Sequence, residues 1–215
     1  MGRQRRGPGK QRGDGDLASA LRDALTALLP HADAADHAKP AGVLVPLYVR
    51  DGAWHVLLNV RSAQLREHKG ELAFPGGSLD DGDADMQSCA LREADEEMGI
   101  QPADVTILGA LGTVLTRTGY HVWPTVGAIP YPYAFNVSVR EVAEVVEVPL
   151  ESMLADSSLR HEARLLGDGS VQTRVAFAHG PHLIYGATAT ILEQLLSIVR
   201  GIVDRGEATL GVEVK

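Results

Sequence analysis

Residues 85–98 make two demands on one helix. Ala90, Leu91, Ala94 and Met98 recur at helical spacing and form a packed stripe, with Gly99 as a natural stop. Glu93, Glu96 and Glu97 recur at i, i+3 and i+4, so three carboxylates converge within a narrow arc. Like charges that close repel one another and weaken a helix. A hard divalent cation is the natural offset, because Mg²⁺ and Mn²⁺ prefer oxygen ligands. Arg92 is adjacent and can hold a carboxylate through a bidentate pair. Taken alone, the run EADEE favours a solvated acidic face over a metal site. The residues before it favour the metal. Pro75-Gly76-Gly77 lets the backbone approach a ligand closely, and Asp80, Asp81, Asp83 and Asp85 occupy a loop leading into the helix.

The rest of the chain alternates strands and helices irregularly, which predicts an α/β fold: a mixed sheet with helices on its faces. Asp16 can cap a helix carrying Leu17, Leu21, Leu25 and Leu28, ended by Pro30. His31 to Lys39 is a polar connection. Residues 41–49 and 54–60 are apolar runs separated by Asp51-Gly52, a hairpin signal. Further strands are predicted near 105–115, 121–129 and 143–148, and a helix from about 187 to 203 bears Ile191, Leu195, Ile198, Val199 and Ile202. These elements form a single domain over 16–205, with a helical N-terminal extension at 16–30. Residues 1–15 are a basic tail without periodicity, expected to be disordered, and 206–215 a loose end.

Charge narrows the partners. The first twelve residues hold five of the 20 Lys and Arg and no acid, leaving 15 basic against 28 acidic residues, a net of −13, in the remainder. An acidic body repels a polyanion, so nucleic acid is not expected as a partner. A small anion can still bind if a metal supplies local positive charge. The single cysteine, Cys89, excludes a disulfide framework and fits a reducing cytoplasm. No secretory signal and no membrane span are expected. Monomer and homodimer both remain open.

The chain resembles the Nudix hydrolases, whose signature is a glycine, five residues, an acid, seven residues, then R-E-U-X-E-E-X-G-U, with U aliphatic. Gly77, Arg92, Glu93, Glu96, Glu97, Gly99 and Ile100 match it. Asp83 stands where the signature has glutamate, eight residues rather than seven separate it from Arg92, and Ala94 fills the first U position. The first two departures are typical of the coenzyme A pyrophosphatase branch. That branch also carries an upstream motif, L-L-T-X-R-S-X3-R-X3-G-X3-F-P-G-G. Here it reads LLNVRSAQLREHKGELAFPGG, matching at Leu57, Leu58, Arg61, Ser62, Arg66, Gly70, Phe74, Pro75, Gly76 and Gly77, with Asn59 where Thr is usual. Weaker similarity continues at 119–129, 141–154 and 185–192, so the resemblance covers roughly residues 40–200.

The resemblance implies a Nudix-type α/β/α sandwich with a catalytic loop-helix-loop. It implies Mg²⁺- or Mn²⁺-dependent hydrolysis of the diphosphate of a small nucleotide substrate of the coenzyme A type. The products would be 3′,5′-ADP and 4′-phosphopantetheine or its acyl form. Glu93, Glu96 and Glu97 become metal ligands, with the Gly77 carbonyl a further one, and Arg92 orients the glutamates. Arg61, Ser62, Arg66 and Gly76 become substrate contacts, the two arginines offering planar donors suited to phosphate oxygens. The general base is open between Glu93 and a later carboxylate, Glu141 or Glu144. Asp83 supports the ligands or merely begins the helix. ADP-ribose, NADH or a nucleoside triphosphate is the alternative substrate, and a non-catalytic ligand-binding module the alternative class. His68 is expected to be structural, His121 to face out from a strand, and Trp123 to pack in the core.

Overall fold

The computed structural model describes residues 16–27, 37–65 and 68–211. The basic tail, Leu28 and Pro30, most of the His31–Lys39 connection, Arg66 and the last four residues lie outside them.

An eight-stranded mixed sheet forms the centre. Strand β1 (Lys39–Arg50) runs parallel to β7 (Tyr120–Ala128) and antiparallel to β2 (Ala53–Arg61) and β4 (Gly76–Ser78). On its outer edge β2 pairs antiparallel with β8 (Val142–Pro149), and it also pairs with β3 (Leu72–Ala73). Beyond β7 lie β5 (Thr106–Ala110) and β6 (Val114–Leu115). The hairpin at Asp51-Gly52 forms as the sequence predicts, with both residues at positive φ.

Strand β1 is almost continuously apolar because both of its faces are covered. Leu44 and Tyr48 join Leu57, Ala90, Ala94, Met98 and Ile100 in a small core beneath helix α2 (Met86–Met98). Val45 and Leu47 point the other way, into a larger core with helix α1 (Leu17–Thr26) and helix α4 (Gly186–Asp204). Helices on both faces make the predicted α/β/α sandwich. Asp16 caps α1 as expected, accepting from the Ala18 N–H at 3.2 Å. By length and composition, the 19-residue α4 could cross a bilayer, contrary to the sequence expectation of no such segment. Here it spends Ile191, Leu195, Val199 and Ile202 on the core.

Glycine brings α2 onto the sheet. A Cβ on Gly42 in β1 would stand 2.4 Å from the Met86 carbonyl oxygen and 2.8 Å from the Ala90 nitrogen. The small stripe of Ala90 and Ala94 continues this close approach. Gly42→Val is therefore expected to lift α2 and cost about 1–3 kcal/mol or more of stability, read as a lower urea midpoint.

A second sheet was not legible in the sequence. Strands β9 (Leu159–Leu165), β10 (Val171–His179) and β11 (His182–Ile184) form an antiparallel meander following the short helix α3 (Leu150–Leu154). Strand β9, LRHEARL, is too polar to give an alternating pattern, and only Phe177 and Ile184 anchor the meander firmly in the core.

His121 corrects an expectation: it is only 6 % exposed, against Trp123 at a ring separation of 3.9 Å. Trp123 itself is half-buried rather than a core residue.

Candidate active site

Helix α2 is fixed at both ends before it presents any chemistry. Asp85 and Ser88 form a reciprocal capping box. At the other end Gly99, in the left-handed conformation, donates to the Asp95 carbonyl, and Ile100 donates to that of Ala94. The following loop is tied to the same end, the Asn136 and Ser138 N–H groups donating to the Met98 and Glu97 carbonyls. That loop carries Glu141 back to the start of β8.

Arg92 commits all five of its N–H donors within the protein. Its Nε and Nη2 fork onto Asp83 at 3.0 Å each, and Nη2 also donates to the Ser78 carbonyl at 3.1 Å. Its Nη1 donates to Glu93 at 2.9 Å and Glu96 at 3.1 Å. No donor is left for a substrate, so Arg92 positions the carboxylates. Asp83 thereby resolves as the partner that holds Arg92 in place, and the fork lowers its pKa to about 2.

Glu97 is the buried member, 5 % exposed. It accepts from Asn59 Nδ2 at 3.0 Å and from the Gly76 N–H at 3.4 Å, with Arg61 Nη1 at 3.9 Å. Burial pushes its pKa up to about 7 and also raises that of Glu93. The two carboxylates repel each other, and both feel Glu141. Glu93 lies in a cradle that only glycine leaves open, since a Cβ on Gly77 would stand 2.5 Å from its carboxyl carbon. Glu96 stays at the rim, its side chain 58 % exposed, held by Arg92.

The donor set is oxygen throughout, carries more negative charge than Arg61 and Arg92 supply, and includes two carboxylates held in a partly desolvated place. Those features fit a hard divalent cation. Among the described residues no three His, Cys, Asp or Glu side chains already stand close enough to enclose one. Arg92 pairs with Glu93 and Glu96, and Glu97 turns to Asn59, the Gly76 N–H and Arg61.

Other expectations fare differently. Ser62 was expected to contact substrate, but it is buried and its hydroxyl accepts from the Gln64 N–H at 3.2 Å, so it shapes the loop. The Gly76 N–H is directed at Glu97, and a Cβ there would meet the Gly42 carbonyl oxygen at 2.5 Å. The Gly77 carbonyl faces the Cys89 thiol at 3.5 Å. His68 pairs with Glu71 at 2.9 Å.

Glu144 does not face the box. Its cross-strand partner is Val60, which packs on the larger core, whereas the neighbouring pair Asn59 and Val145 faces α2. Glu144 therefore lies on the far face, 3.5 Å from His182, in a recess of about 530 Å³.

Asn59 is the site residue that sequence reasoning passed over. Its signal was a polar residue at an inward position of an apolar strand, in phase with Leu57 and Arg61. Asn59→Leu keeps the volume and removes the donor to Glu97. Weakening of Mn²⁺ affinity by about 10–100-fold is expected from titration calorimetry, with Asn59→Thr, which retains a donor, intermediate.

Residues 38–160 match the NUDIX domain family. The uncharacterized Nudix hydrolase NudL of Escherichia coli (strain SMS-3-5) is 38 % identical over 157 residues, covering 73 % of this chain and 81 % of the relative. NudL of Photorhabdus laumondii is 38 % identical over 165 residues, covering 77 % and 87 %. Among solved structures, a Caenorhabditis elegans Ap4A hydrolase binary complex is 25 % identical with a TM-score of 0.46, covering 52 % of this chain and 80 % of that one. With the glycine, arginine and glutamates of the signature assembled around one helix, the chain belongs to the Nudix hydrolase family.

Proposed function

We propose that this Nudix hydrolase cleaves the diphosphate of coenzyme A or its acyl or oxidised derivatives. Water adds across the anhydride, giving 3′,5′-ADP and 4′-phosphopantetheine or its acyl form. One observation carries the reading. The Leu57–Gly77 segment, whose motif resembles the coenzyme A branch, is joined physically to the signature helix: Asn59, Arg61 and the Gly76 N–H all address Glu97. The two motifs act as one site.

Glu93, Glu96 and Glu97 would hold Mg²⁺ or Mn²⁺. When bound, such an ion lowers the pKa of water and offsets charge on the phosphoryl oxygens. Asn59 and Gly76 fix Glu97, while Arg92 and Asp83 fix Glu93. Arg61, the guanidinium nearest Glu97, is suited to a phosphate oxygen. Glu141 is the remaining later carboxylate near the box, and it accepts the proton from water in this reading; Glu93 is the alternative, already engaged by Arg92. The single thiol, Cys89, is buried and unpaired, consistent with action in the cytoplasm.

The deciding experiment offers coenzyme A, an acyl derivative, NADH and ADP-ribose at equal concentration with Mg²⁺ or Mn²⁺, with products identified by mass. Coenzyme A species are expected to lead. A tenfold advantage of ADP-ribose in kcat/KM sinks the substrate assignment. A non-catalytic binding role would leave every substrate intact despite the complete set of box acids.

A further inference from the structure

The β9–β10 hairpin concentrates positive charge on one face of an acidic chain. Direct cross-strand partners share a face, as do alternate residues along a strand. The pairs Arg164–Gln172, Glu162–Arg174 and Arg160–Ala176 therefore project together. Arg117 joins them from the turn before β7, its Nη1 3.8 Å from Glu162. Three arginines of the hairpin and Arg117 thus gather on the side of Glu162, a net positive patch even with the nearby Glu71 counted, in a chain of net charge −8.

Their donors are not all committed. Arg160 donates to the carbonyls of Ser157 and Leu159, fastening the base of the hairpin. Arg174 offers only its Nε to Gln172, at 3.3 Å, and Arg164 and Arg174 meet no carboxylate among the described residues. Arg117 is about half exposed and shares its one carboxylate with the whole cluster. Charge of one sign gathered this way, with free guanidinium forks, suits a phosphate dianion.

The face adjoins the upstream motif. Tyr185, which precedes α4, lies near enough to Glu71 of the upstream segment and to Glu162 and Arg117 of this face for all three charges to act on its hydroxyl. Glu71 in turn holds His68, and its carbonyl accepts the Arg61 N–H at 3.0 Å. Tyr185 thus brings the arginine face into the neighbourhood of Glu71, whose backbone is bonded to that of Arg61.

We propose that Arg117, Arg164 and Arg174 form a subsite for a phosphomonoester carried by the substrate away from the scissile anhydride. The inference rests on the coenzyme A reading, since the 3′-phosphate of that substrate is such a group. The β9–β10 hairpin then discriminates between otherwise identical diphosphates by one remote phosphate.

The test compares coenzyme A with dephospho-coenzyme A, which lacks the 3′-phosphate, in the full-length wild type and in Arg164→Gln and Arg174→Gln. Both variants are expected to raise KM for coenzyme A by about tenfold, with kcat little changed and dephospho-coenzyme A unaffected. Arg164→Gln removes an exposed side chain, so folding does not confound it, and Arg164→Lys should recover part of the loss. Equal losses on both substrates, or no loss on either, overturn the subsite while leaving the coenzyme A reading intact. If the wild type hydrolyses neither, that reading falls, and calorimetry with 3′,5′-ADP and 5′-AMP then decides the subsite alone. A preference for 3′,5′-ADP that Arg164→Gln abolishes upholds it, and equal affinities overturn it.

Discussion

Glu97→Gln is expected to lower kcat/KM by about a thousandfold and, in the same protein, to raise metal-free stability at pH 8. The first effect follows from removing a carboxylate proposed to hold the cation that would offset transition-state charge, a contribution of several kcal/mol. The second follows from where the carboxylate sits. Glu97 is buried between Asn59, the Gly76 N–H and Arg61, and its ionised form is the costly one. A neutral amide keeps the shape and removes the charge. Steady-state kinetics and urea melts in EDTA read the two effects separately. A variant that loses both activity and metal-free stability would show that Glu97 is chiefly a structural residue.

Stability of the metal-free wild type should fall as pH rises from about 5 to 8, and Mg²⁺ or Mn²⁺ should largely abolish that fall. Glu97 titrates near 7 in the folded chain, against about 4.5 ordinarily. A carboxyl that folding makes harder to ionise contributes stability below its unfolded pKa. That contribution is lost as pH climbs through the folded value. A displacement of this size corresponds to about 3 kcal/mol, and burial displaces Glu93 in the same direction. Asp83 acts in the opposite sense. Its pKa of about 2 adds stability that is present above its ordinary 3.8 and is lost as pH falls through 2. Metal-free stability should therefore peak near pH 4–5. Urea midpoints at several pH values, with EDTA or with Mg²⁺, measure this directly. Parallel curves would remove the link between the buried glutamates and a cation.

The signature residues could be recognised early because their spacing alone places them. Residues three and four apart on a helix must share an arc, and a glycine pair must come close to something. Neither inference needs a partner strand. The placement of Ser62 and Glu144 could not be foreseen for the converse reason. Their roles depend on which way a strand or loop turns them, and a hydroxyl beside an arginine in a motif looks the same whether it meets substrate or its own loop. Asn59 was counted only as a departure from the upstream motif, because a single strand does not reveal what its inward side chain will meet. The β9–β10 hairpin escaped notice because arginines and a glutamate alternate where apolar residues would mark a strand.

The sequence by itself determined the helix, its glycine stop, its acidic arc and the two apolar faces of the central strands, because each depends on residues within a few positions of one another. Tertiary structure alone decided that Glu97 is buried while Glu96 is not, that Asn59 is its donor, that Arg92 has no donor to spare, and that Glu144 lies on the wrong face. Those outcomes depend on strand register and on how closely Gly42 lets α2 approach β1, contacts set between segments far apart in the chain.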